Sequence, residues 1–160
     1  MARTLNPGKR NLPRMAISLA TIARERVRAA PRVVLYGPQK IGKSTFAAGA
    51  PQPVFIPTED GLSGLEVDHF PLAKTYQGVL EALGALYEEA HTYQTVVVDS
   101  LDWLEPLIWA RVCQDQGQAC IEDFGYGKGD TLAVSYWQQC LEGLNALRTA
   151  KGMGNCSRPI

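Results

Sequence analysis

The sequence has no surplus of charge in either sign: 16 Lys plus Arg balance 16 Asp plus Glu, a formal net charge of +0. No global basic field therefore advertises nucleic acid, and any such contact must come from a local patch. Cysteine is sparse. Cys113, Cys120, Cys140 and Cys156 form no C-x-x-C pair, and His69 and His91 lie far from them in sequence. That argues against a zinc site and reads as reduced, cytosolic thiols. No apolar run approaches the roughly 18 residues of a membrane-spanning helix. The first residues lack the apolar core of a secretory signal. There is no internal repeat and no low-complexity tract.

What is present fits one soluble globular domain: 160 residues, 46% hydrophobic and 20% charged, enough for a sizeable core. Residues 1–14 carry Arg3, Lys9, Arg10 and Arg14 with two prolines and no acid, which predicts a disordered basic leader. Met15 is an alternative start. Val33–Tyr36 is a short apolar run ending at Gly37, which predicts a strand buried on both faces. A helix is expected over 43–50, a strand over Pro53–Ile56, and a weaker strand over Phe70–Lys74. Val79, Leu80, Leu83, Leu86 and Tyr87 have helical spacing within 76–91. Thr95–Asp99 is the clearest strand. A helix is expected from about Leu104, with Pro106 in its first turn. Residues 117–130 are glycine-rich and polar. A last helix spans Leu132–Leu147, with Trp137, Leu141, Leu144 and Leu147 on one side. Strands alternating with helices predict an α/β fold, a parallel sheet with helices on both faces.

Gly37-Pro38-Gln39-Lys40-Ile41-Gly42-Lys43-Ser44-Thr45 fits G-x-x-x-x-G-K-[ST]. In this motif the glycines let the backbone curl so that successive N–H groups point at phosphate oxygens, and the following helix adds its positive end. Lys43 is expected to reach the β- and γ-phosphates of ATP, and the Ser44 hydroxyl to bind Mg²⁺. Asp99 closes the Val96–Val98 strand, so it is expected at the ligand-binding end of the sheet, holding Mg²⁺ through water. Hydrolysis also needs a group that orients or deprotonates water. The residue after Asp99 is Ser100, so the base must come from elsewhere. Glu59, just beyond the Val54–Ile56 strand, faces the same crevice and is the candidate; Asp60, Asp102 and Glu105 are weaker ones.

Taken together, the P-loop, Phe55-Ile56-Pro57-Thr58-Glu59 and Val96-Val97-Val98-Asp99-Ser100 resemble RecA-type recombinases. The similarity is closer to small phage-encoded RecA-like ATP-binding proteins of the phage AAA family, linked to single-strand annealing and recombination. It runs from about Met15 to Met153, through Leu35-Tyr36-Gly37, Gly42–Ala47, Thr58–Leu62 and Asp123–Gly129. The resemblance implies a RecA-like P-loop NTPase core over 15–153, ATP and Mg²⁺ as cofactors, Glu59 as catalytic base, and a DNA-linked ATPase in the intact form. It also implies a cytoplasmic protein of a phage or prophage in a bacterial host. It admits a homo-oligomer or filament and gives no place to a membrane. The segment Phe124–Gly129 stands where that family has its first DNA-binding loop. There Phe124 and Tyr126 would stack on bases of single-stranded DNA and Lys128 would meet phosphate.

After Leu147 the family pattern expects an apolar strand ending in a polar sensor, placed between the P-loop strand and the Asp99 strand. The chain instead reads Lys151-Gly152-Met153-Gly154-Asn155-Cys156-Ser157-Arg158-Pro159-Ile160. Gly152, Gly154 and Pro159 oppose a strand, and Asn155, Ser157 and Arg158 are costly in a dry centre. The expectation is therefore a fold incomplete at its C-terminus, with 154–160 an atypical tail outside the sheet. Two other readings stay open. A small P-loop kinase would need lid arginines, and 117–130 has none. A truncated nucleotide-binding remnant would lack catalysis.

Overall fold

The computed structural model describes residues 19–22, 24 and 29–158. The basic leader 1–14, Met15 and Pro159–Ile160 lie outside them. After a 3-10 turn at Leu19–Thr21 come β1 (Arg32–Val34), α1 (Lys43–Ala48), β2 (Pro53–Pro57), β3 (Asp68–His69), α2 (Tyr76–Glu88) and β4 (Thr95–Asp99). Then follow α3 (Leu101–Gln116), a 3-10 turn at Ile121–Phe124, α4 (Lys128–Ala150) and β5 (Gly154–Arg158). The five strands form one sheet in the order β1-β5-β4-β2-β3, and every pairing is parallel.

Strand β4 is the axis. Its residues are all buried, with Val96, Val97 and Val98 at 0% exposure, each contributing about 1.5–3 kcal/mol by burial. Alternation divides them between two cores. Val96 and Val98 join Val54, Ile56 and the apolar sides of α2, α3 and α4. Val97 joins Phe55, Ala47 of α1 and Cys156 of β5. Helices thus cover both faces, three on one and the short α1 on the other. Gly129 fixes how α4 meets the preceding 3-10 turn, since a β-carbon there would lie 2.8 Å from the Ile121 side chain and carbonyl.

The main correction to the sequence reading is β5. The tail expected to lie outside the sheet forms the strand between β1 and β4, the position expected to be empty. Its register runs Arg32↔Asn155 to Val34↔Ser157 on one side and Thr95↔Gly154 to Asp99↔Arg158 on the other. Two contacts explain why these residues are accepted. The Asn155 side-chain amide, 5% exposed, donates to Leu144 O at 3.0 Å, which offsets the cost of burying its NH2 group, while Oδ1 is buried without a hydrogen-bond partner among the described residues. Cys156 supplies an apolar surface against Val97 and Phe55. Gly152, with φ 69, makes the turn after α4 rather than breaking the strand.

Smaller corrections have local causes. β1 is an edge strand, and Val34 and Tyr36 are exposed rather than buried on both faces. The third strand is Asp68–His69; beyond it pairing continues only as Phe70 N–H to Phe55 O, 2.9 Å, and Ala73 N–H to Pro57 O, 2.9 Å. α3 starts at Leu101, directly after Ser100, so Pro106 falls in the second turn and the helix forgoes one i to i−4 bond there. In α4, Cys140 takes the inward position with Leu144 and Leu147, and Leu141, about 100° further round, is exposed.

A chain ending at Met153 is expected to lose the cooperative thermal transition, because both ladders at the centre of the sheet disappear and the whole stability of such a domain is only about 5–15 kcal/mol. A melting temperature equal to that of the full chain, measured by circular dichroism, would show that β5 is dispensable.

Candidate functional site

The G-x-x-x-x-G-K-S-T segment connects β1 to α1 at the carboxyl end of the sheet. Lys40 and Gly42 take left-handed conformations, φ 64 and φ 97. Such turns set successive N–H groups toward one point, a nest that suits an anion. Glycine does this freely; at Lys40 the left-handed backbone costs roughly 1–2 kcal/mol. The first helical bond, Phe46 N–H to Gly42 O at 2.9 Å, starts α1 at once.

Lys43 is buried at 7% exposure. Its ammonium donates to Pro38 O at 2.8 Å and to Gly37 O, so the loop's own carbonyls hold the charge against the loop. The Ser44 hydroxyl donates to Asp99 Oδ2 at 2.8 Å. Asp99 is 1% exposed and, as the last residue of β4, faces the α1 side like Val97.

Thr58 joins the ends of β2 and β4. Its N–H donates to Asp99 O at 2.8 Å. Its hydroxyl donates to Ser100 O at 2.5 Å and accepts from Ser100 N–H at 2.8 Å. The Asp99–Ser100 peptide is cis. This clasp fixes the start of the 59–65 segment relative to Asp99. A cavity of about 550 Å³ opens here, with the P-loop and the 59–65 segment as its walls. Lys40, Lys43, Ser44, Thr45, Glu59 and Asp60 line it. Asp99 does not; it reaches the cavity through Ser44.

The structure therefore brings Gln39, Lys40, Gly42, Lys43, Ser44, Thr45, Glu59 and Asp60 to one cavity, whereas Gly37, Pro38 and Ile41 do not line it. Asp102 and Glu105, the weaker base candidates, are exposed on the first two turns of α3 and do not line it. Thr58 is the residue whose part went unread. Its signal was a hydroxyl residue, able to donate and accept, at the strand end just before Glu59. A second cavity, about 440 Å³, lies between α1 and the amino end of β5 and contains no P-loop residue.

The glycine-rich loop stands apart from this cavity. Phe124 packs against the core, whereas Tyr126 and Lys128 are exposed. A polar chain holds the stem. Arg111 Nε donates to Asp115 Oδ2 at 2.8 Å and the Tyr136 hydroxyl to the same oxygen at 2.7 Å. The Tyr76 hydroxyl donates to Tyr136 O at 2.8 Å. Arg111 and then Tyr136 hold the Asp115 carboxyl below its ordinary pKa, and burial pushes the Tyr76 hydroxyl up. Because Tyr76 opens α2 just beyond the carboxyl end of β2, Tyr136 is fixed at that end too. Lys128 lies eight residues, about 12 Å of helix, before it.

The four cysteines are free, and burial pushes Cys140 up to about 11. Among the described residues no helix is long and apolar enough to cross a membrane.

Parallel sheet, strand–loop–helix order and lysine–serine pair define an α/β P-loop NTPase. The family described as AAA domain matches residues 29–151, and the chain belongs to it: it is a nucleotide-binding, P-loop ATPase-like protein. Among curated proteins none matches the chain.

Thr58→Val keeps shape and removes the clasp. The Ser100 N–H and carbonyl are buried, so the change is expected to destabilise by about 1–3 kcal/mol, with Thr58→Ser close to wild type. Denaturant unfolding of the three proteins measures it, and a Val variant as stable as wild type would rule the clasp out.

Proposed function

We propose that the chain binds ATP with Mg²⁺ in the P-loop cavity and that its reaction is ATP hydrolysis, in a DNA-linked ATPase of the phage recombination and single-strand annealing type. The observation that carries the nucleotide reading is the Ser44–Asp99 contact at 2.8 Å beside a lysine held over a phosphate nest. A serine hydroxyl and a carboxylate so close are hard oxygen donors of the kind Mg²⁺ takes. Among the described residues no group of three His, Cys, Asp or Glu is suited to a metal, so a divalent ion here relies on phosphate oxygens and water as well. When bound, it supplies positive charge at the bridging and terminal phosphates.

The protein's own part is positioning. The nest binds the inner phosphates through N–H groups. Lys43 adds a charge already desolvated. Glu59 accepts the proton of the attacking water. Thr58, bonded to Ser100 and Asp99, keeps Glu59 at a fixed distance from the Ser44–Asp99 pair.

Lys43→Ala is expected to weaken ATP binding roughly ten- to hundredfold, the loss of a charge-assisted contact of ~1.5–3 kcal/mol. Calorimetry reads it, and an unchanged affinity would refute the site. Glu59→Gln should bind ATP like wild type and lose about 10²–10⁴ in turnover; normal phosphate release would move the base to Asp60, which shares the cavity.

The DNA reading is supported by the exposed Tyr126 between Gly125 and Gly127, with Lys128 next to it. An aromatic face and a cation on a glycine-flanked tip suit single-stranded DNA, with stacking contributing ~1–3 kcal/mol per base. Replacing Tyr126 and Lys128 together should weaken single-stranded DNA binding without lowering the melting temperature. Phe124→Ala should lower the melting temperature, because that ring packs on the core. Wild-type DNA affinity in the double variant at matched salt would end this reading.

A further inference from the structure

We propose that Lys40 is a specificity-determining cation, whose ammonium contacts the terminal phosphate of a bound nucleoside triphosphate and makes the site prefer triphosphate to diphosphate. The inference rests on the nucleotide reading and adds a role for a side chain that the motif leaves unspecified.

The P-loop pattern constrains position 40 only through its backbone. The left-handed φ of 64 there is one that glycine adopts freely and asparagine tolerates, so a long β-carbon-bearing side chain is a costly choice. What the chain gains for that cost is an ammonium at the rim of the phosphate cavity. Lys40 lines the cavity and is exposed. Among the described residues it makes no hydrogen bond and no ion pair; the ion pair found there is Arg111–Asp115. A cation held on a constrained backbone, facing an anion site and unused by the protein, fits a ligand contact.

The two lysines differ in reach. Lys43 gives two of its three N–H directions to Gly37 O and Pro38 O, which holds it against the loop and leaves one for a phosphate oxygen. Lys40 has no such tether. The other wall carries Glu59 and Asp60, two carboxylates that repel the phosphate farthest from the nest. In a bound triphosphate the terminal group would be the one the nest covers least. An untethered ammonium from the loop wall would offset this repulsion, and among the described residues lining the cavity there is no arginine to do so. A diphosphate lacks the group that Lys40 would meet, so the contact appears only with the triphosphate.

The test measures ATP and ADP dissociation constants with Mg²⁺ by calorimetry on the full chain and on Lys40→Ala, Lys40→Arg and Lys40→Gly, with melting temperatures alongside. Lys40→Ala is expected to weaken ATP about tenfold, the loss of one charge-assisted contact, and to move ADP less than twofold. Lys40→Arg should restore most of the ATP preference. Lys40→Gly should match Ala in binding yet melt at or above wild type, because it relieves the left-handed backbone. Equal losses for ATP and ADP, or no loss in either, with a wild type that binds both, would overturn the role of Lys40 and leave the nucleotide site standing. A wild type that binds neither nucleotide would overturn the site itself and this inference with it.

Discussion

Asp99 is a carboxylate at 1% exposure on the end of a strand whose other residues are dry. A charge in such a place costs several kcal/mol unless neighbours compensate it. The Ser44 hydroxyl does so from α1. Thr58 and Ser100 hold its backbone from the other side. Three segments far apart in sequence therefore meet at one buried carboxylate. The same meeting point sets the geometry of the cavity: α1 brings the phosphate loop, β2 brings Glu59, and β4 brings the acid itself.

The separation of those segments is a property of the sheet. Adjacent strands lie about 4.7–4.9 Å apart, so β5, between β1 and β4, spaces the strand that feeds the P-loop from the strand that ends in Asp99. Ser44 spans that distance from the first turn of α1. Were β5 absent, β1 would either pair directly with β4, one spacing closer, or lose the partner it has among the described residues. Both alternatives move Ser44 relative to Asp99. Strand β5 is thus part of the site's dimensions.

The parts legible in the sequence are those that local chemistry decides. The phosphate loop is a backbone device, so its glycines, lysine and serine announce it wherever they stand between strand and helix. Thr95–Asp99 is apolar enough to read as a buried strand, and a carboxylate closing it falls at the ligand-binding end of the sheet. Gly154–Arg158 is the opposite case. Its residues disfavour a strand one by one, and what overrides them is tertiary: two ladders, a helix carbonyl for Asn155 and an apolar slot for Cys156. No pattern within five residues encodes such partners. The exposure of Val34 and Tyr36 was hidden for the same reason, since an apolar run does not reveal whether its strand is central or at an edge. Phe124 and Tyr126 read alike as aromatic neighbours, yet the 3-10 turn sends one to the core and the other to solvent.

The cavity and the Tyr126 loop share no lining residue but are connected through α3. α3 begins immediately after Ser100, and its first bond, Leu104 N–H to Ser100 O at 3.2 Å, ties the helix to the residue that Thr58 clasps. The helix is about 24 Å long at 1.5 Å per residue, and its far end holds α4 through Asp115 and the Tyr136 hydroxyl. From Tyr136 the remaining helix leads straight back to Lys128 and Gly127. The side chains along this path, Leu104, Ile108 and Val112, are all at 0% exposure, packed at a density that does not absorb displacement. The path from the Thr58–Ser100 clasp, three hydrogen bonds within 2.8 Å, to the loop that carries Tyr126 therefore runs through one buried helix and ends at a turn flanked by Gly125 and Gly127, both at positive φ, 71 and 69.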